Sequence, residues 1–284
     1  MARLFAMLIA LTLLVPSARA GQERIVSIGG SVTEIVYALG AEGRLVAVDS
    51  TSLYPELATE LPDVGYMRRL SAEPILALEP DHILAIADAG PEPVLDQLRG
   101  AGVEITIIGD EPSPEGVGDK IEKVANALDL TEKGQVLAQQ VRADFDALAA
   151  EVSDVPAPSR LMFILNTGGG APMVGGTGTS ADAIIRLAGA ENAVTSLDGY
   201  KPLSPEAAIQ AAPDVILTMN RSVEASGGEE ALLALPDITL TPAGKNQALI
   251  SMEGLFLLGF GPRTPEAART LAAALADLKP KPVN

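Results

Sequence analysis

Residues 70–87, LSAEPILALEPDHILAIA, return later in the chain as residues 203–219, LSPEAAIQAAPDVILTM. In both copies Leu-Ser-x-Glu opens a short helical stretch, a Pro-Asp pair stops it, and an apolar run follows. Serine followed by an acid marks a helix start. Pro-Asp marks a turn, and a short apolar run bounded by a turn marks a buried strand. Glu73 and Glu206 stand 133 positions apart, and so do Asp81 and Asp214. Upstream of each copy lies another short helical stretch. One covers 33–39 and ends in Gly40-Ala41; the other covers 181–188 and ends in Gly189-Ala190. The chain therefore carries two copies of one α/β plan, with strands and helices in alternation.

The same periodicities extend the plan outward. Strands are expected over 24–28, 45–48, 83–86 and 104–108 in the first half, with a helix over 93–99. In the second half strands are expected over 161–165, 215–217 and 248–251, and a helix over 265–278 closes the chain. Between the halves, Leu137, Val141, Phe145, Leu148 and Val152 recur every three or four residues, as on one helix face. Asp129 or Thr131 can cap that helix, and Pro156 and Pro158 end it. About 20 helical residues span roughly 30 Å, enough to bridge two lobes. The expected organisation is a first lobe at 21–128, a bridging helix at 129–155 and a second lobe at 156–284.

The halves differ in one interval. From Gly40 to Leu70 is 30 residues, whereas from Gly189 to Leu203 is 14, so the first half carries 16 extra residues. Tyr54 and Tyr66 lie in that stretch. Loops carry binding residues more often than the elements they join.

Residues 1–20, MARLFAMLIALTLLVPSARA, have a charged start, an apolar run and Ala-Arg-Ala at the end, as a cleavable secretory signal does. The mature chain is then expected to begin at Gly21. No cysteine is present, so neither a lipid anchor on cysteine nor a disulfide is available. The formal net charge is −17, and removing two signal arginines makes it −19. Such a surface opposes nucleic-acid binding and anionic lipid surfaces. An anionic ligand would need local positive charge, which Arg68 and Arg69 can supply.

The extra stretch ends in LPDVGYMRRLSAE, residues 61–73. With LSAEPILALEPD behind it, this segment resembles the haemin-binding periplasmic proteins of bacterial haem ABC transporters. Later landmarks, in order, are GTGTSADAIIRLAGAENA from Gly176, GYKPLSPEA from Gly199, TPAGKNQ from Thr241 and LLGFGPRTPEAA from Leu257. The resemblance covers essentially the whole mature chain. It implies a class III periplasmic binding protein: α/β, two similar lobes with central sheets flanked by helices, joined by a single long helix. It also implies that Tyr66 is the axial ligand of a haem iron and that Arg68 hydrogen-bonds its phenolate. A tyrosine titrates near about 10 in water; ferric iron and an arginine donor both favour the charged oxygen. Members of the family dock onto arginines of a permease through one glutamate per lobe, here Glu73 and Glu206. Some members place a histidine just before Gly-Gly-Gly as a second ligand. This chain has Asn166-Thr167 there, so iron with Thr167 beside it is expected to be five-coordinate.

Other sites are weaker. Gly176-x-Gly178-x-x-Ala181 matches a dinucleotide fingerprint only in letters, some ten residues after its strand. A tight turn capping a helix at Thr179 or Ser180 is the simpler role. His82 is the only histidine, which opposes hydrolytic triads and histidine-rich zinc or manganese sites. The expected protein is a monomeric periplasmic carrier of haem b serving an inner-membrane ABC permease, not an enzyme, with no membrane insertion. Its alternatives are a siderophore or cobalamin carrier of the same fold, in which Tyr66 stacks or hydrogen-bonds, or a periplasmic enzyme.

Overall fold

The computed structural model describes residues 23–153, 158–168 and 171–278. The signal at 1–20, Pro156 and two glycines of the Gly-Gly-Gly run, Gly169 and Gly170, lie outside the described residues.

The first sheet comprises β1 (Ile25–Ile28), β2 (Leu45–Val48), β3 (His82–Ile86) and β4 (Glu104–Ile108). All its pairings are parallel, in the order β2-β1-β3-β4. β1 and β3 are buried along their whole length, which is why they read as unbroken apolar runs rather than alternating ones. The helices here are α1 (Gly30–Ala38), α2 (Ala72–Leu76), α3 (Glu92–Gly100) and α4 (Pro114–Ala127).

Next comes α5 (Thr131–Val152), 22 residues, with Val141, Phe145 and Leu148 on its buried face and α4 packed along it. Its start differs from expectation. Leu130 holds the cap position without a side-chain bond. The Thr131 hydroxyl donates instead to Asn126 Oδ1 at 2.8 Å, and Asp129 adopts φ +57°. The α4–α5 turn is closed by those residues, which leaves neither free to cap.

The second sheet comprises β5 (Arg160–Asn166), β6 (Met173–Gly175), β7 (Glu191–Asn192), β8 (Tyr200–Pro202), β9 (Val215–Met219) and β10 (Leu249–Met252). Its order is β10-β9-β5-β6-β8, with β7 against β5. β10, β9, β5 and β7 run parallel, whereas β6 and β8 are antiparallel additions. Around it lie α6 (Ser180–Leu187), α7 (Pro205–Ala211), α8 (Asn220–Ala225), α9 (Glu229–Leu233), α10 (Pro236–Thr239), α11 (Pro242–Asn246), α12 (Gly254–Leu258) and α13 (Thr264–Leu278). α6 is capped by Thr179, whose side chain accepts from the Asp182 N–H. The glycine-rich segment is therefore a helix-starting turn: Gly176 N–H donates to Gly199 O at 3.0 Å.

Polar contacts tie the two halves. The Lys120 side chain on α4 is fully buried. Its ammonium donates to Asp110 (2.6 Å), Ser31 Oγ (3.3 Å), and the carbonyls of Phe260 (3.1 Å) and Gly259 (3.4 Å) between α12 and α13. Glu34 on α1, also buried, accepts from Arg263 at 2.9 Å. The Arg263 guanidinium stacks 3.4 Å over the Tyr54 ring centroid and 5.0 Å from that of Phe256. Arg269 on α13 binds Glu151 on α5.

Candidate functional site

In open α/β sheets ligands bind beyond the carboxyl ends of the strands. β2 ends there at Val48, and the 16 extra residues begin. Buried Asp49 fixes their first turn by accepting from Gly29 N–H (2.8 Å), Thr51 Oγ1 (2.7 Å) and Ser52 Oγ (2.9 Å). Their far end folds back onto β2. Val48 N–H donates to Pro62 O, Val64 N–H to Val48 O, and Ser50 N–H to Gly65 O. Gly65 turns the chain at φ +93°, a conformation that strains any residue with a Cβ. Tyr66 follows and opens a tight turn, closed by Arg69 N–H to Tyr66 O at 2.7 Å.

That turn is stitched to the loop after β3. Gly90 N–H donates to Met67 O and Leu70 N–H to Gly90 O. The stitching brings Asp88 against Arg68: Nη2 to Oδ2 is 2.6 Å. The other arm of the same guanidinium, Nη1, points at the Tyr66 phenol oxygen at 3.5 Å. The second distance is at the outer limit of a hydrogen bond, so Asp88 is the stronger partner. Arg69 lies 5.8 Å from the Tyr66 ring centroid, in cation–π range, and forms no ion pair among the described residues. The loop thus brings together Tyr66, Arg68 and Arg69 as the sequence motif implies. Asp88, 20 residues from Arg68, adds an acid that sequence spacing did not point to. Its one signal was an acid directly after an apolar strand.

Thr167 lies just beyond the carboxyl end of β5, where its hydroxyl shares a 2.9 Å hydrogen bond with Ser226. Glu73 and Glu206 occupy the first turns of α2 and α7, exposed and without ion pairs among the described residues. A shallow groove lined by Ser71, Ala72, Leu76 and Gln97 runs beside Glu73. His82 is buried between Glu23 and Thr106 and belongs to the framework.

The second half presents a tyrosine of its own. Tyr200 begins the edge strand β8 opposite Gly175, with its ring edge-on to Phe163 at 6.3 Å and 65°. Burial of its hydroxyl end raises the Tyr200 pKa. The Ala181 N–H, Thr179, the charge of Arg68 and Ser180 pull it back. Arg68 of the first lobe is therefore within electrostatic reach of Tyr200. No group of three or more histidine and carboxylate side chains suited to a bare metal ion occurs among the described residues.

The fold is two-lobed, one sheet to each half, with Tyr66 at the carboxyl end of the first sheet and Tyr200 on an edge strand of the second. Residues 25–254 match the periplasmic binding protein family, and the chain belongs to that family. It is similar to the solved structure of periplasmic heme-binding protein BhuT in complex with two hemes, at 45% identity and TM-score 0.87, over 91% of this chain and 99% of that one. It is also similar to periplasmic heme-binding protein RhuT from Roseiflexus sp. RS-1 in apo form, at 41% identity and TM-score 0.88, with the same coverage. A sequence relative, the vitamin B12-binding protein of Yersinia pestis (strain Pestoides F), is 30% identical over 267 residues, 92% of this chain and 89% of that one. All of these are binding proteins. No helix among the described residues is long and apolar enough to cross a membrane.

Proposed function

We propose that this chain is a periplasmic carrier of ferric haem that delivers its cargo to an inner-membrane ABC permease. The observation that carries the reading is the Arg68 guanidinium, clamped by Asp88 at 2.6 Å and aimed at the Tyr66 phenol from the same turn. A phenolate is a known axial ligand of haem iron. A donor on its oxygen favours the anion, and a donor that is itself held in place favours it without loss of side-chain freedom. Ferric iron supplies the larger part of the stabilisation. An anionic oxygen ligand holds iron oxidised, so reduction loosens the cargo. Arg69, without a carboxylate partner among the described residues, is the cation for a propionate. Thr167 offers a hydroxyl already shared with Ser226, so the iron on Tyr66 stays five-coordinate and high-spin. The carrier acts as a monomer in the periplasm, following a signal at residues 1–20, and catalyses nothing. Glu73 and Glu206, one on each lobe, meet basic residues of the permease.

A haemin titration followed by absorption tests the reading. The wild type is expected to show a high-spin ferric spectrum with a phenolate charge-transfer band. Tyr66→Phe should weaken binding at that iron by more than a hundredfold, roughly 3 kcal/mol, and remove its contribution to the band. Arg68→Ala should cost about tenfold to a hundredfold, as outer partners of metal ligands do, and shift the band. An unchanged spectrum and affinity in Tyr66→Phe rejects Tyr66 as the ligand. The relatedness to vitamin B12-binding proteins favours a corrinoid as second reading. There Tyr66 stacks or hydrogen-bonds, and saturable cobalamin binding without haemin binding selects it.

A further inference from the structure

Arg263 closes the run Gly259-Phe260-Gly261-Pro262-Arg263 in the second lobe, yet its side chain is held by the first. Its backbone N–H donates to Glu34 Oε1 at 3.1 Å, and its Nη2 donates to Glu34 Oε2 at 2.9 Å. The guanidinium lies against two rings: Tyr54 of the 16 extra residues, 3.4 Å to the centroid, and Phe256 of α12, 5.0 Å. We propose that Arg263 is a positioning residue for the cleft: through the Tyr54 ring it holds the loop that carries Tyr66 against the second lobe, and so sets how firmly the cleft keeps its cargo. The grip on haem rests on the haem reading; the clamp itself does not.

Three observations carry it. First, ring faces hold the guanidinium as much as hydrogen bonds do. Arg263 Nε is buried and has no hydrogen-bond partner among the described residues. A buried donor left unmet calls for another reason to be there, and a cation desolvated against aromatic faces supplies one. Second, the loop transmits the hold. Tyr54 follows Ser52, whose hydroxyl donates to Asp49 at 2.9 Å and shares a 2.7 Å hydrogen bond with Thr33. At the base of the loop, Ser50 N–H donates to Gly65 O at 3.1 Å, one residue before Tyr66. The two tyrosines thus stand at the two ends of one closed loop, and a displacement of Tyr54 passes through that base to Tyr66. Third, the lobes meet closely here. A Cβ on Gly30 of α1 would lie 2.6 Å from a Leu255 methyl, and one on Gly261 would lie 3.2 Å from Glu34 Oε1. Parting the lobes at this point unstacks Tyr54 and strips buried Glu34 of its cation, and a buried charge left alone is costly. Tyr54 itself keeps 42% of its surface exposed, so removing its ring disturbs the contact and not a core.

The test uses the full chain, which has no cysteine of its own. One spin label is therefore placed on each lobe, through Gln97→Cys on α3 and Gln210→Cys on α7, both exposed. Double electron–electron resonance on the haem-free protein should give one narrow distance distribution for this labelled parent and for Tyr54→Phe, which keeps the ring. Tyr54→Leu and Arg263→Lys each remove one face of the stack and should broaden and shift the distribution. Arg263→Lys keeps a charge beside Glu34, which separates stacking from ion pairing. Once loaded with haemin, both variants should release it to excess apomyoglobin about tenfold faster, the scale of one desolvated cation–π contact, while the charge-transfer band of Tyr66 stays in place. A Tyr54→Leu variant with the parent's distances and release rate overturns the proposal. Broadened distances with unchanged release also overturn it, since the contact would then set lobe geometry but not the grip. So does Tyr54→Phe behaving as Tyr54→Leu, because the hydroxyl and not the ring would then matter. If the parent takes up no haemin, the haem reading falls, and the distances in the haem-free protein still decide the clamp.

Discussion

The two lobes share a frame and diverge at the cleft. In the first lobe, Arg24 N–H donates to Asp81 at 2.8 Å, and its guanidinium reaches back to Leu78 O at 2.7 Å. In the second, Arg160 N–H donates to Asp214 at 2.9 Å, and its guanidinium reaches Ala211 O at 2.9 Å. The backbone after each preceding helix turns left-handed at matched positions, Glu79 and Ala212. The Pro-Asp turn is thus one device used twice: the aspartate ties the strand start, and the arginine ties the helix end. At the opposite, carboxyl end of the sheets the likeness stops. The first lobe spends 16 extra residues on a loop that delivers Tyr66, Arg68 and Arg69. The second adds the antiparallel β6–β8 pair, from strands separated in the chain by α6 and β7, and places Tyr200 at its edge. Framework hydrogen bonds tolerate no change of spacing, whereas loops do, so duplication persists at one end and specialisation accumulates at the other.

The glutamates proposed to dock, Glu73 and Glu206, belong to the duplicated half of that comparison and carry the largest expected effect. Glu73 and Glu206 ride equivalent helices, so charge reversal should act alike in either lobe. Glu73→Lys with Glu206→Lys is expected to abolish haem-dependent transport while haemin affinity stays at the wild-type value. Each single reversal should slow association with the permease more than it speeds dissociation, since these are rim charges. If one single variant alone reproduces the double, the lobes are not equivalent docking sites. Unchanged transport in the double variant leaves only a helix-start role for both.

The contact between lobes comes next. Lys120 has no counterpart in the duplicated plan, and its buried ammonium serves four oxygen acceptors, two of them in the other half of the chain. Lys120→Met should lower unfolding free energy by about 2–3 kcal/mol, since a buried charged donor is lost and the Phe260 and Gly259 carbonyls go unpaired. The partly exposed Asp110 can rehydrate, which keeps the loss at the lower end for a broken buried pair. Urea denaturation measures it. A loss under about 0.5 kcal/mol, the size of an ordinary surface change, means the Lys120 contacts add nothing to what holds the halves together.

Much of the frame was legible because it depends on near neighbours. Apolar runs flanked by turn residues placed β1 to β4, β5, β9 and β10 within one or two residues. A three-to-four spacing placed α5. The antiparallel additions escaped, because β6 and β8 are three residues each and lie among glycines. Site pairings that depend on distant residues escaped too. Arg68 and Asp88 are 20 positions apart, and Lys120 and Phe260 are 140 apart; no local pattern links either pair. The motif implied the Tyr66–Arg68 contact, but it could not say that Asp88 holds Arg68 more closely than Tyr66 does.

The smallest expected effect separates the two copies of Leu-Ser-x-Glu themselves. Their letters predict one helix start made twice, yet only one serine caps. Ser204 Oγ accepts from the Ala207 N–H at 3.3 Å, whereas Ser71 makes no side-chain cap bond at the start of α2. Pro205 fixes the first backbone angle of α7 for the helix, which holds the Ser204 hydroxyl over the first turn. Ala72 gives α2 no such constraint. A lost serine cap costs about 0.5–2 kcal/mol, and a 3.3 Å bond is a long one. Ser204→Ala should therefore cost about 0.5 kcal/mol and Ser71→Ala close to nothing, in paired urea titrations. Equal losses would mean that Ser71 caps α2 in solution and that the lobes share their helix starts as fully as their Pro-Asp turns. The predicted inequality would mean that Glu73 stands on the looser of the two helix starts, so of the two charges proposed to dock it is the one with more freedom to adjust to a partner.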